Sequence, residues 1–234
     1  MQIILAFSLL LLGYLLGSIP FGLIIVKLRT GKDVRKVESG RTGGTNVYRA
    51  AGMWAGLLTA LLDGIKGMVA VWLAVWIIAK LGISEFPFGL VMAGIGAILG
   101  HNYSIFLAER GENGRWRLRG GAGGATTAGG AMGLWLPSIL FILPGALATL
   151  YFSGYASVTT LSVPLVALVV FAVRAYLGYG PWVFVLYGVL AELILLWALR
   201  PNLKRLMNGS ERMVGPRAKR RADQAAENGT NGES

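Results

Sequence analysis

Long apolar stretches separated by short polar connectors dominate the chain. They run over residues 2–28, 53–79, 86–108, 128–152, 157–173 and 181–199, most of them near or above the ~20 residues that a helix needs to cross a hydrocarbon core. The bilayer interior offers backbone N–H and C=O groups no partner, so all six windows are predicted to be α-helical. The expected fold is an all-α, multi-pass transmembrane bundle of five to seven membrane helices, partial or re-entrant ones included. The first stretch, 1–26, has no basic n-region and no small-residue cleavage site, so it reads as a retained span rather than a leader. Beyond residue 213 the apolar pattern gives way to Gly, Pro, Asn, Glu and basic residues. This predicts a membrane domain over 1–213 and a disordered basic and polar tail over 214–234.

The connectors differ in charge. The first carries Lys27, Arg29, Lys32, Arg35, Lys36, Arg41 and Arg49, whereas the second has Lys80 alone. The third carries Arg110, Arg115, Arg117 and Arg119, and the segment after the last window carries Arg200, Lys204, Arg205, Arg212, Arg217, Lys219, Arg220 and Arg221. The positive-inside rule places these basic segments in the cytoplasm and the N-terminus outside a plasma membrane. An N-terminus outside and a C-terminus inside demand an odd number of crossings, a test that six simple spans fail. Either one window is partial or re-entrant, or an additional short helix lies in the first loop. The shorter 157–173 stretch, which opens on Ser and Thr, is the predicted partial helix.

Composition agrees with lipid as the solvent: 55% of residues are hydrophobic, 14% are charged, and the mean hydropathy is +0.61. The formal charge of +11 lies outside the apolar windows and calls for anionic partners. Because the basic residues stand beside spans and among glycines, with no separate polar domain, phosphorylated metabolites and lipid head groups fit better than nucleic acid. The absence of cysteine removes thiol nucleophiles and thiolate metal sites, and with one histidine no metal site is expected.

Two connectors carry candidate chemistry. Residues 39–49, Ser-Gly-Arg-Thr-Gly-Gly-Thr-Asn-Val-Tyr-Arg, combine three glycines with hydroxyls, an amide and two arginines. Glycines let backbone N–H groups turn toward an anion, hydroxyls donate to phosphate oxygens, and Arg offers a planar fork. The spacing matches neither a Walker loop nor a dinucleotide fingerprint, and a flexible loop whose arginines only enforce topology would look the same. Residues 120–130 hold six glycines. Those at 120–124, directly after the arginines, read as a ligand contact, and 125–130 reads as close helix packing. Within the windows, Asp63 and Lys66 share one helix face and can neutralise each other. His101 has no acidic residue shortly after it and reads as a hydrogen-bonded structural group. Asn202, Arg205 and Glu211 can face one cavity, or belong to a basic juxtamembrane helix gripping head groups.

In order along the chain, residues 17–22 (Gly-Ser-Ile-Pro-Phe-Gly), 39–49, Asp63 with Lys66, 99–101 leading into the glycine-rich loop, and 200–211 resemble the acyl-phosphate-dependent glycerol-3-phosphate acyltransferases of bacterial membranes. The resemblance implies transfer of a fatty acyl group from acyl phosphate to the 1-hydroxyl of glycerol 3-phosphate, giving lysophosphatidic acid at the inner membrane without coenzyme A or another cofactor. By position it implies catalytic roles for Ser39, Arg49, Asn202 and Glu211. It implies phosphate or substrate contacts for Gly43, Thr45, Asn46, Arg119, Gly120, Gly121, Gly123, Ser157 and Arg205, with Asp63, Lys66 and His101 in support. The chain departs from the family pattern in four places: Ala122 stands where a lysine is usual, Arg41 where an asparagine is, and Leu199 where a histidine is, and 109–118 reads as an insertion. Arg119 or Arg117 is the expected stand-in for the missing lysine. A transporter or lipid-binding protein would use a similar anion cradle, but it should show inverted repeats and mid-membrane charges, and no repeat is found.

Overall fold

The computed structural model describes residues 1–111, 114–215, 217–218, 220 and 223–224. Most of the expected tail, Lys219 and Arg221 included, lies outside the described residues. Nine α-helices and one small hairpin are described: α1 (Gln2–Gly17), α2 (Phe21–Thr30), α3 (Gly44–Ala51), α4 (Met53–Lys80), α5 (Pro87–Asn102), β1 (Ala108–Arg110), β2 (Trp116–Leu118), α6 (Gly124–Leu134), α7 (Ile139–Ser153), α8 (Ala156–Tyr176) and α9 (Val183–Met207). Among the described residues, six helical segments are long and apolar enough to cross a membrane, with α1 and α2 counted as one.

The partial helix is not where the sequence places it. Residues 157–173 belong to α8, an unbroken helix of 21 residues, and the window 128–152 is the one that breaks. Trp135 is extended there and a single 3₁₀ turn, Leu136–Ser138, follows; Pro137 has no N–H with which to continue the preceding helix. The resulting α6 has 11 residues, too few for a full span. The α6–α7 pair leaves one end of the bundle and returns to it, since the carbonyl of Gly154, directly after α7, accepts the N–H of Val214 beyond α9 at 2.8 Å. That extra excursion satisfies the parity requirement. The first loop also holds a short helix, α3, and the apparent insertion folds as the β1–β2 hairpin, with Glu109 opposite Arg117.

Small residues let the helices approach at backbone distance, as expected where lipid removes the hydrophobic drive for helix association. Gly13 and Gly17 of α1 lie against the carbonyls of Ala93 and Ala97, while Gly96 and Gly100 of α5 lie against those of Leu10 and Tyr14. A similar exchange joins α4 to α6, where Gly67 meets Thr126 O and Gly129 meets Gly64 O. Behind these contacts Ile98, Phe171, Phe184, Tyr187 and Leu195 form the largest apolar cluster, and the Tyr187 hydroxyl donates to Thr127 O at 2.8 Å. Large apolar side chains such as Phe7, Trp72, Trp76, Leu140 and Trp197 point outward, where lipid would cover them.

The break between α1 and α2 organises a buried polar cluster. Pro20 interrupts the helix and leaves carbonyls without an intrahelical donor. Ser104 donates to Ser18 O at 2.6 Å, and the Lys66 ammonium donates to Ile19 O at 2.9 Å. Lys66 also pairs with Asp63 at 2.8 Å, and the Asp63 carboxylate lies 3.4 Å from His101 Nδ1. The acid partner that no residue near His101 in sequence provides therefore comes from α4. All three side chains are at most 5% exposed.

Two measurements check these packing arguments. Gly96→Val, whose added carbons overlap Leu10 O, is expected to lower the thermal midpoint in detergent by the equivalent of about 3 kcal/mol. Gly64→Ala, whose added carbon would make an ordinary van der Waals contact with Ala125 O at 3.5 Å, should be near neutral. Lys66→Met should destabilise by roughly 3–5 kcal/mol because it strips a buried carboxylate of its main partner. Adding Asp63→Asn should recover part of that loss, and strictly additive effects of the two substitutions would show that the pair is not coupled.

Candidate active site

Four connecting segments meet at one end of the bundle. Thr42 N–H donates to Gly120 O at 3.3 Å, Ser104 N–H to Arg119 O at 3.1 Å, and Gly121 N–H to His101 O at 2.9 Å, which ties the first loop, the end of α5 and the glycine-rich loop into one layer. The segment after α9 closes over them through an Arg212–Glu38 ion pair. Together they roof a cavity of about 1430 Å³.

The polar wall of this cavity contains most of the residues nominated from sequence: Ser39, Gly43, Thr45, Asn46, Arg49, Asp63, His101, Arg119, Gly120, Gly123, Ser157, Asn202, Arg205 and Glu211. Arg49 and Asn202, 153 positions apart by subtraction of their numbers, thus face the same space. Gly121 and Lys66 stand one layer behind. Gly121 is pressed against the His101 imidazole and Gly120 against the carbonyls of His101 and Asn102, so their lack of a side chain is required by the protein's own packing. The glycines at 129 and 130 serve helix packing as expected, Gly130 lying beneath the Tyr187 hydroxyl.

Three helix N-termini point into this cavity. Gly43 and Gly44 begin α3, Gly123 and Gly124 begin α6, and Ala156 and Ser157 begin α8, and all six line it. Each helix start carries unpaired N–H groups and a partial positive charge, so three of them around one volume make an anion site. Gly123 adopts φ +93°, a conformation that suits glycine, and this turns the loop into α6. Side-chain charge adds to the field: seven arginines line the cavity against Glu38, Asp63 and Glu211.

Several side chains hold others in place. The Asn46 amide donates to the carbonyls of Val34, Val37 and Arg41 at 2.8–3.1 Å, so it folds the first loop around α3, and the N–H groups expected to meet phosphate are engaged. Glu211 accepts from Asn202 Nδ2 at 2.8 Å and from Arg205 Nε at 2.9 Å, which fixes both donors at the rim. Arg119, an expected stand-in for lysine, is ion-paired with Glu109 of the hairpin, as is Arg35 at 3.6 Å. Asp33 caps the turn before this loop, and its bond to the Arg35 guanidinium holds its carboxyl below the usual range.

Two lining residues were not nominated individually from the sequence, although Arg41 lies within the glycine-rich segment 39–49. Arg41 sends its guanidinium to Gly121 O at 3.0 Å and to Ala198 O, and burial pushes its pKa down without removing its charge. Asn102 lines the cavity with its amide buried and unpartnered among the described residues, as does the Ser157 hydroxyl. The Gly-Gly-Ala-Gly loop pointed to this region, but the partners from α5 and α9 are distant in sequence.

The opposite wall is apolar. Leu57, Leu61 and Ile65 of α4, Met132 of α6, and Ile142, Leu143 and Leu150 of α7 line it. Leu57, Leu61 and Leu143 are themselves exposed, so the cavity opens sideways onto the lipid-facing surface between α4 and α7. The volume therefore joins a polar, anion-binding head to a lateral apolar slot.

Comparison with known proteins gives the same reading. The family model described as glycerol-3-phosphate acyltransferase matches residues 7–209. A glycerol-3-phosphate acyltransferase of Thermus thermophilus is 38% identical over 212 residues, covering 91% of this chain and 96% of the relative. One from Aromatoleum aromaticum is 41% identical over 211 residues, covering 88% and 95%. The crystal structure of PlsY (YgiH), an integral membrane glycerol 3-phosphate acyltransferase, in its glycerol 3-phosphate form superposes with a TM-score of 0.73 at 30% identity, covering 90% of this chain and 96% of that one. Its lysophosphatidic acid form gives 0.70 at 28% identity, covering 90% and 95%. The chain is a multi-pass membrane acyltransferase and belongs to the glycerol-3-phosphate acyltransferase family.

Proposed function

We propose that this enzyme transfers a fatty acyl group from acyl phosphate to the 1-hydroxyl of glycerol 3-phosphate, releasing lysophosphatidic acid and inorganic phosphate. The observation that carries the proposal is the shape and charge of one cavity: three helix N-termini and an arginine-rich wall at one side, and an apolar slot open to lipid at the other. Acyl phosphate is an amphiphile with a dianionic head, and glycerol 3-phosphate is a second small dianion. Two dianions repel each other unless positive charge is already fixed around them, and this wall supplies it without reorganisation. The relatives support the acceptor and the product of this reading, since PlsY is described in a glycerol 3-phosphate form and in a lysophosphatidic acid form.

An acyl phosphate is a mixed anhydride with a good leaving group, so positioning and charge stabilisation suffice for its chemistry. The 1-hydroxyl oxygen attacks the acyl carbon, the C–O bond to phosphate breaks, and the hydroxyl proton passes to the departing phosphate. No protein nucleophile is consumed. Arg49 and the N-termini of α3 and α6 hold the two phosphoryl groups in register, and Ser39 and Thr45 donate hydroxyls at the first of them. Asn202 and Arg205, fixed by Glu211, complete the polar rim, while the unpartnered Ser157 hydroxyl and Asn102 amide supply donors at the second. We place this end in the cytoplasm of a bacterial inner membrane, because its connectors carry the arginines while the α4–α5 turn at the opposite end has only Lys80 as a cation.

The deciding assay uses purified protein, acyl phosphate and labelled glycerol 3-phosphate, with lysophosphatidic acid as the product measured. Folded protein that makes no product would overturn the reading. Arg49→Lys retains charge but loses the planar fork, and is expected to lower kcat/KM about ten- to a hundredfold with the thermal midpoint unchanged. Wild-type turnover in that variant would remove Arg49 from the mechanism.

A further inference from the structure

Arg41 carries a charge that its surroundings orient but do not neutralise. It lies in the wall of the cavity, largely shielded from solvent, and among the described residues no carboxylate stands within ion-pair distance of it. Its guanidinium donates to three neutral oxygens: Gly121 O at 3.0 Å, Ala198 O, and Asn202 Oδ1 at the limiting distance of 3.5 Å. A guanidinium has five N–H donors, so these bonds leave at least two for another acceptor. A desolvated cation whose direct bonds all go to neutral oxygens, with the Glu211 carboxylate acting only from beyond ion-pair distance, is costly, and the cost is offset when an anion binds.

Its location identifies that anion by chemistry. Arg41 precedes the α3 N-cap, Gly43, by two residues, and its partner Gly121 precedes the α6 N-cap, Gly123, by two residues. The guanidinium therefore sits between two helix N-termini, beside the Asn202–Glu211–Arg205 rim. Ala122, in the same cavity wall, contributes no charge, and Arg119 from the same loop is bound to Glu109. We propose that Arg41 is a phosphoryl-binding residue of the active site, and that its fork seats one of the two substrate phosphates against the 120–123 loop and the end of α9. The proposal rests on the two-phosphate reading of the cavity and adds a contact to it.

The competing role is a staple that only holds three segments together, and the test separates the two. Full-length protein in detergent is titrated with inorganic phosphate, and KM is measured for glycerol 3-phosphate and for acyl phosphate separately. Arg41→Gln is expected to weaken phosphate binding and to raise KM for one substrate about ten- to a hundredfold while the other changes less than about twofold. The substrate whose KM moves identifies which phosphoryl group is seated. Arg41→Gln combined with Ala122→Lys returns a cation to the same wall and should recover much of the phosphate affinity, which a staple would not do. Unchanged phosphate affinity in folded Arg41→Gln, or a loss that the lysine does not restore, overturns the proposal.

Should Arg41→Gln fail to fold, Arg41→Lys decides, because it keeps a cation at this position and loses the planar fork. Inorganic phosphate is then expected to bind several-fold more weakly, and unchanged affinity in the folded variant overturns the proposal. Phosphate binding is read without turnover. Protein that bound phosphate through Arg41 but formed no acyl product would support this seat while overturning the acyl-transfer reading.

Discussion

The ammonium of Lys66 joins the parts of the molecule that sequence separates. It reaches from α4 to the Ile19 carbonyl at the α1–α2 break, which also accepts the Phe21 N–H at 3.2 Å, and its partner Asp63 reaches on to His101 at the end of α5. Inside a membrane neither an open carbonyl nor a lone charge is tolerated, so each member of this cluster makes the others affordable. The consequence is positional. With His101 held, the backbone of Gly121 has a fixed surface to lie on, and the glycine-rich loop is set at one height relative to the first loop.

Above that cluster, catalytic geometry comes mainly from backbone. Helix starts at Gly44, Gly124 and Ala156 aim their N–H groups at one volume, and side chains such as Asn46 and Glu211 act largely by fixing the segments that carry other donors. Donors fixed by backbone reorganise little when an anion arrives or charge develops beside them. The apolar slot beside that volume opens onto the outward-facing surface, next to a wall lined by arginines.

Legibility in the sequence followed the range of each interaction. Membrane helices were readable because an apolar run of sufficient length is a local property, and the Asp63–Lys66 pair because one turn of helix sets its spacing. The partial helix was misplaced: weak polarity at the start of 157–173 drew the assignment, while Trp135 and Pro137 inside a longer window made the break. Arg119 looked like the natural replacement for a missing lysine because it is near in sequence, yet Glu109, across the hairpin, holds it. Arg41 looked like a mere departure, and the fold carries its charge to Gly121.

By itself the sequence determined the solvent of this protein, its helical class, the basic character of one set of connectors and, through ordered motifs, its family resemblance. These depend on composition and on contacts within a turn or two of helix. Only the tertiary structure decided that α6 and α7 form the returning pair, that His101 receives its carboxylate from α4, and which cavity arginines have no ion-paired carboxylate among the described residues. Those outcomes rest on close backbone approach between helices far apart in the chain, where a glycine's missing side chain sets a distance that no local pattern records.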